Sequence, residues 1–361
     1  MGGGKRLFAL DLLRGLDIFA LTVLMRLYWA ANRTFELPHW VKIQFGHVWA
    51  TPGLVDFAQP LFLFVCGAAV PFAIPKRLTA DGRATLAYWK HVTWRVAMLW
   101  VSGMIIQGGL LTFDPAKFHP YNNTLQTIAV GYLAAALTML VRSLRWRIAI
   151  PVALTAVYGI ALWIYGDWTA QGNLARLVDE RFFGAIGCKA KSFTYVFTSL
   201  VWAAIGISGM HAAEILRSSR TEAAKARLLV CVGVASLLGG LLVLPWVPPI
   251  RHIYSLSFSL VSVGLSYLLL ALLYFLTDIR GYRSHLGYFM LFGEFAFLSW
   301  RIHTFFAPAL LKVSELCFVG VPRLMGTPRY MPLVNEIGLV ALFAGVLCVR
   351  KALAKRRNLG R

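Results

Sequence analysis

Apolar residues in this chain run in blocks of membrane length, not in the short stripes of a soluble core. Ten blocks predict helices near residues 9–31, 54–74, 91–112, 123–141, 148–165, 192–210, 229–247, 255–276, 287–311 and 332–349. Crossing the hydrocarbon takes about 20 apolar residues in a helix. The expected fold is therefore all-α: a polytopic bundle of about ten transmembrane helices, treated as a single integral-membrane domain over 1–361. No interval between blocks is polar or long enough for a separate soluble domain. The first block does not read as a signal peptide, because it lacks a small-residue cleavage site and carries Asp11, Arg14 and Asp17. Arg6 breaks the N-myristoylation pattern.

The polar intervals are uneven. Residues 32–53, 166–191 and 312–331 are expected as long outer loops, and the first is rich in aromatics and histidines: His39, Trp40, His47 and Trp49. Long ordered loops carry function more often than short ones. No internal repeat is visible, which weighs against an inverted-repeat transporter.

Composition sharpens this picture. The chain is 58% hydrophobic and only 14% charged, yet its formal net charge is +21. With the N-terminus inside, the cytoplasmic intervals hold roughly twice as many Lys and Arg as the outer ones, the positive-inside pattern. Both termini are then expected in the cytoplasm, and Arg350-Lys351 with Lys355-Arg356-Arg357 reads as a membrane-surface anchor. Nucleic acid is not an expected partner, since no zinc-finger, RNA-recognition or helix-turn-helix signature is present. None of the five cysteines stands in C-x-x-C spacing, so no metal is expected. Cys188 and Cys317 fall in expected outer loops and are the pair available for a disulfide in an oxidising compartment.

Four constellations could carry chemistry. In the first block Asp11 and Arg14 are three apart and share a helix face, so they are expected to neutralise each other; alternatively Arg14 meets an anionic cofactor. In the second, His47 precedes Asp56 at the mouth of the second block. Imidazole is the side chain best suited to proton transfer at neutral pH. Asp56 either orients it or only favours the helix start; His39 is the decoy. Third, Glu294, Arg301 and His303 lie in the ninth block, with Glu294 and Arg301 expected on one face two turns apart. They make either a structural network or a substrate pocket. Last, Gln126 near the start of the fourth block can hydrogen-bond across helices, usually as packing glue. Scattered glycines from Gly233 to Gly240 read as close helix packing. P-loop, G-x-S-x-G, Rossmann and H-E-x-x-H signatures are missing.

Together these pieces resemble the heparan-α-glucosaminide N-acetyltransferase family and its bacterial membrane relatives. The likeness rests on Leu10-Asp11-Leu12-Leu13-Arg14-Gly15-Leu16-Asp17, on His47-Val48-Trp49 followed by Asp56 and Pro60-Leu61-Phe62-Leu63-Phe64, and on Gly67, Pro71-Phe72 and Lys76-Arg77. The segment Asn123-Thr124-Leu125-Gln126-Thr127-Ile128-Ala129-Val130-Gly131-Tyr132-Leu133 completes it, so the motif-bearing part spans residues 7–135. The segment between His47 and Asp56 is shorter than the family pattern. Met25 or Arg26 stands in place of an asparagine near the outer end of the first span.

The resemblance implies a membrane-bound N- or O-acetyltransferase. It would move an acetyl group from cytoplasmic acetyl-CoA, with no metal, to a sugar or glycan beyond the membrane. His47 would be the essential histidine and Asp56 its orienting carboxylate. Arg14, Asp11, Arg95 and Gln126 would lie around the cofactor, and Trp49, Arg26, Glu294, Arg301 and His303 around the acceptor. The setting would be a bacterial cytoplasmic membrane; the partners are the bilayer and the glycan, with a homodimer left open. The competing class is a secondary transporter using Glu294, Arg301 and His303 without acyl chemistry.

Overall fold

In the computed structural model, which describes residues 7–79, 81–121, 123–183, 196–324 and 326–359, the apolar blocks are helices. Among the described residues the regular structure is helical apart from a two-residue ladder and an isolated bridge between Leu78 and Ala84. Among the described residues seven helices are long and apolar enough to cross a membrane: Leu54–Ala73, Leu144–Tyr165, Ser199–Arg217, Glu222–Val243, Leu256–Ile279, Ala296–Leu324 and Pro328–Leu353. The other three expected spans coincide with helices of a different kind. Phe8–Thr34 carries Asp11, Arg14, Asp17 and Arg26, Leu86–Ile106 carries Lys90 and Arg95, and Thr124–Met139 is short, with 16 residues.

The chain divides into two compact units. The larger comprises His47–Pro52 and Gln59–Arg280, and the smaller Leu7–Gly46, Gly53–Ala58 and the chain from Gly281 onward.

In the larger unit, side-chain caps set several helix starts. Thr85 accepts the Tyr88 N–H, Asn123 the Leu125 N–H and Thr221 the Ala224 N–H. The helix Leu144–Tyr165 ends at Gly166, whose φ of 76° supplies the left-handed turn. Ser199–Arg217 packs on Thr124–Met139 and on Leu144–Tyr165, while Glu222–Val243 and Leu256–Tyr274 form an antiparallel pair. Lipid tails are as apolar as leucine, so such packing depends on close approach more than on hydrophobicity. A β-carbon on Gly206 would stand 2.4 Å from the Gly131 carbonyl oxygen, and one on Gly67 only 1.8 Å from that of Gly206. Three helices therefore meet at backbone contact. The glycines at 233 and 240 do the same work against Leu256–Tyr274: their β-carbons would meet Leu268 Cγ at 2.9 Å and the Val261 backbone nitrogen at 2.8 Å.

In the smaller unit the first helix is continuous from Phe8 to Thr34 but contains a π turn at Ala20–Leu24. It crosses Gly287–Glu294 where Gly15 and Gly293 meet, and Phe19 is boxed by the rings of Tyr288, Phe289 and Phe292. The ninth block is not one helix. It breaks at Phe295 into Gly287–Glu294 and Ala296–Arg301, passes through a π turn at Ile302–Phe306 and continues as Ala307–Phe318. The face shared by Glu294 and Arg301 is therefore lost. The expected outer loop 312–331 is likewise mostly helical, through Ala307–Phe318, Gly320–Leu324 and Pro328–Tyr330.

Candidate functional site

His47 lies on a hairpin. His47–Val48 and Thr51–Pro52 pair antiparallel, with Trp49 and Ala50 in the two-residue turn. The His47 side chain is exposed. Trp49 is fixed beside it: its indole N–H donates to the Trp168 carbonyl at 2.8 Å and its ring stacks on His252 at 5.0 Å and 20°. The adjacent Arg251 donates to Gln59 Oε1 at 3.5 Å. Three stretches far apart in sequence, all expected on the outer side, thus gather at one end of the larger unit.

The loop carrying Arg251 and His252 is held tightly. Ser255 N–H donates to the Ile250 carbonyl at 3.1 Å, Ser255 Oγ accepts the Ile250 N–H at 2.9 Å, and Tyr158 donates to the Ile253 carbonyl. Tyr254 closes it in the left-handed region at φ 47°. A bulky residue rarely adopts that conformation, and such strain concentrates at functional sites. Nearby in sequence to Trp168, the Asp167 carboxyl is held below the usual carboxylate range by the Thr169 backbone N–H at 2.8 Å. Sequence reasoning singled out His47 and Trp49 but missed Arg251, His252 and Gln59. The available signal was a histidine beside an arginine in a short outer interval.

Asp56 belongs to the smaller unit and His47 to the larger. Asp56 is fully buried, and its Oδ2 accepts the Gly53 N–H at 2.8 Å while Gln44 Oε1 accepts the Leu54 N–H at 3.1 Å. A carboxylate reaching back to the residue before its helix is half of a capping box. The helix-start reading of Asp56 is thus met.

The smaller unit keeps its own charged cluster. Arg26 makes a bidentate pair with Glu336, at 2.8 and 2.9 Å, and both groups are largely buried. His303 lies near Arg26 and the Thr22 backbone. Thr22 and His303 lie in the two π turns, a geometry that recurs at functional sites. Of the expected acceptor set, Arg26 and His303 are therefore together, joined by the unforeseen Glu336. Glu294 instead pairs with Lys351 at 3.2 Å, and Arg301 lies over the Phe297 ring. Asp17 is buried, and its carboxylate oxygens have no hydrogen-bond partner among the described residues.

The expected cofactor residues divide between the units. Arg14 pairs with Asp11 at 3.4 Å in the smaller, as their spacing predicts. In the larger unit, Arg95 stacks on the Tyr132 ring at 4.8 Å, and Gln126 donates to the Pro120 carbonyl at 2.5 Å. A cleft of about 570 Å³ at the opposite end from His47 is lined by Arg83, Arg142 and Arg147 together with Asp81, and Arg147 is itself paired with Glu214. His39 opens the short helix His39–Phe45 and is exposed. Cys188 lies outside the described residues, and Cys317 is exposed in a helix, so the expected disulfide has no described geometry. No group of three His, Cys, Asp or Glu able to hold a metal occurs among the described residues.

No family model matches the chain, and no curated protein matches it. The class defined by the fold is an all-helical protein whose apolar helices have the make-up of a multi-pass membrane protein.

Proposed function

We propose that this is a transmembrane acyltransferase of the heparan-α-glucosaminide N-acetyltransferase type, moving acetyl from cytoplasmic acetyl-CoA to an amine or hydroxyl of an extracytoplasmic sugar or glycan. The observation that carries the reading is the exposed imidazole of His47 beside an indole fixed by Trp168 and stacked on His252. An ordered aromatic wall suits the apolar face of a sugar ring, and an imidazole takes a proton at neutral pH.

In this reading the acceptor N–H or O–H gives its proton to His47 as its lone pair attacks the thioester carbonyl. The new C–N or C–O bond forms, the C–S bond breaks, and the CoA thiolate leaves to be protonated. A covalent acyl-imidazole followed by transfer satisfies the same balance. The CoA phosphates suit Arg83 and Arg142 of that cleft, since guanidinium binds phosphate in bidentate fashion. Arg14 and Arg95 remain further contacts to test. The helix Leu144–Tyr165 links the cleft to the His47 end with 22 residues. That length is about 33 Å, so the pantetheine arm would have to thread the bundle.

Ten spans, two cytoplasmic termini and a bacterial cytoplasmic membrane belong to the same proposal. Reporter fusions at the C-terminus test its orientation. A transporter is the second reading, favoured by the largely buried Arg26–Glu336 pair and by Thr22 and His303, each in a π turn.

One liposome assay separates the two. Acetyl-labelled acetyl-CoA is supplied on one side and candidate amino sugars on the other. Label on the sugar supports acyl transfer. Sugar crossing unlabelled while acetyl-CoA stays intact overturns it in favour of transport.

A further inference from the structure

A half-open cavity of about 780 Å³ lies between helices of the larger unit, lined by Leu144–Tyr165, Ser199–Arg217, Glu222–Val243 and Leu256–Tyr274 and opening past the exposed side chains of Leu144, Ile148 and Val152. That is within the range of about 300–1,000 Å³ for sites of small organic molecules. Four of its hydroxyls are turned into the walls. Ser208 donates to the Ala204 carbonyl at 2.8 Å, Ser236 to Leu260 at 2.8 Å, Ser259 to Tyr254 at 2.9 Å and Tyr267 to Ser208 at 2.7 Å. What faces the space is hydrocarbon, including Pro151, Ala156, Ile205 and Val263. Two of the walls are among the least buried spans of the unit: only 22% of the Leu144–Tyr165 window and 17% of the Glu222–Val243 window lie inside the protein. The cavity is therefore walled by helices that face the bilayer.

One end is polar. His211 and Glu214 are already engaged there: His211 meets Glu214 and the Arg147 carbonyl, each at 3.0 Å, and Glu214 pairs with Arg147. Arg220 also lines the cavity, is exposed, and has no ion pair among the described residues. An apolar groove at membrane depth with an exposed guanidinium at its end matches a molecule of complementary form. We propose that the cavity holds an acyl chain of an anionic phospholipid, with the phosphate on Arg220.

Hydrocarbon gains little by leaving the bilayer for an apolar cavity, because lipid tails are as apolar as the residues lining it. Selectivity must then come from the headgroup, and retention outside the bilayer from the cavity. The inference is independent of His47 and of acyl transfer.

Native mass spectrometry of the detergent-purified chain tests it, after exchange with phosphatidylglycerol and phosphatidylcholine of identical chains. Wild type should retain one phosphatidylglycerol in preference to phosphatidylcholine by about fivefold, the scale of one basic side chain on an anionic lipid. Arg220→Gln should abolish the preference. Ala156→Trp, which fills the cavity, should lose both lipids, whereas Ala153→Trp on the exposed face outside it should keep them. Equal retention of the two lipids by wild type, or an unchanged preference in Arg220→Gln, overturns the proposal even if Ala156→Trp does not fold. Full retention by a folded Ala156→Trp overturns it as well.

Discussion

The two units place their ionisable residues differently along the helices. The larger builds its helix crossings from glycine and aromatic contacts, keeps ion pairs at helix ends, Arg147 with Glu214 and Lys225 with Glu222, and sets the candidate His47 in a hairpin at one end. The smaller carries charge within its helices: Arg26 with Glu336 and Arg14 with Asp11 largely buried, Glu294 with Lys351 more exposed, and Asp17 buried without a hydrogen-bond partner among the described residues. An exposed imidazole on a hairpin is cheap to place and open to a reactant. A buried ion pair costs desolvation of both members, and removing one leaves an uncompensated charge. The contrast teaches that ionisable residues in the smaller unit should matter first for folding, and His47 first for chemistry.

The strongest test of that difference is Glu336→Gln. It strands Arg26 and should cost about 3–5 kcal/mol of stability, whereas Arg26→Met with Glu336→Leu should recover most of the loss. Thermal unfolding in detergent reads both. A single variant with wild-type stability would break the contrast.

Next is the glycine crossing of the larger unit. Gly206→Leu drives a side chain into the Gly131 carbonyl and should cost about 3 kcal/mol, while Gly239→Leu should be nearly silent, since its β-carbon would come no closer than 3.9 Å to its neighbours. Similar melting temperatures for the two variants would remove close approach as the cause.

Trp49→Ala should loosen the His47 end by about 1–2 kcal/mol through loss of the His252 stack and the Trp168 hydrogen bond. Hydrogen exchange in residues 47–52 should rise, and Trp49→Phe should restore part of the protection. The smallest effect concerns pH. Asp167 has a folded value below its unfolded one, so its contribution is full above the ordinary carboxylate range and fades as pH falls through the folded value. Exchange of the Thr169 amide should quicken only at that acid end.

Much of the fold was legible because membrane length leaves a direct mark in hydropathy. The helical blocks, the Asp11–Arg14 pair, the packing role of Gly233 and Gly240 and the helix-start role of Asp56 all follow from local rules of spacing and capping. The break at Phe295 did not, because Gly293 and Glu294 just before it fit equally well inside one packed helix, and the apolar run resumes at once beyond them. The Arg26–Glu336 pair and the Trp49–His252 stack were hidden for another reason. Each joins residues hundreds of positions apart, and no local pattern encodes which helix ends meet.

The central claim is that His47 carries acyl transfer, and one variant tests it most directly. Purified His47→Ala in liposomes, with labelled acetyl-CoA and amino-sugar acceptors, should transfer acetyl about 10²–10⁴-fold more slowly than wild type, a barrier rise of about 3–5 kcal/mol. Its melting temperature should be unchanged, and His39→Ala should transfer at the wild-type rate. A folded His47→Ala that acetylates every acceptor as fast as wild type would contradict the account.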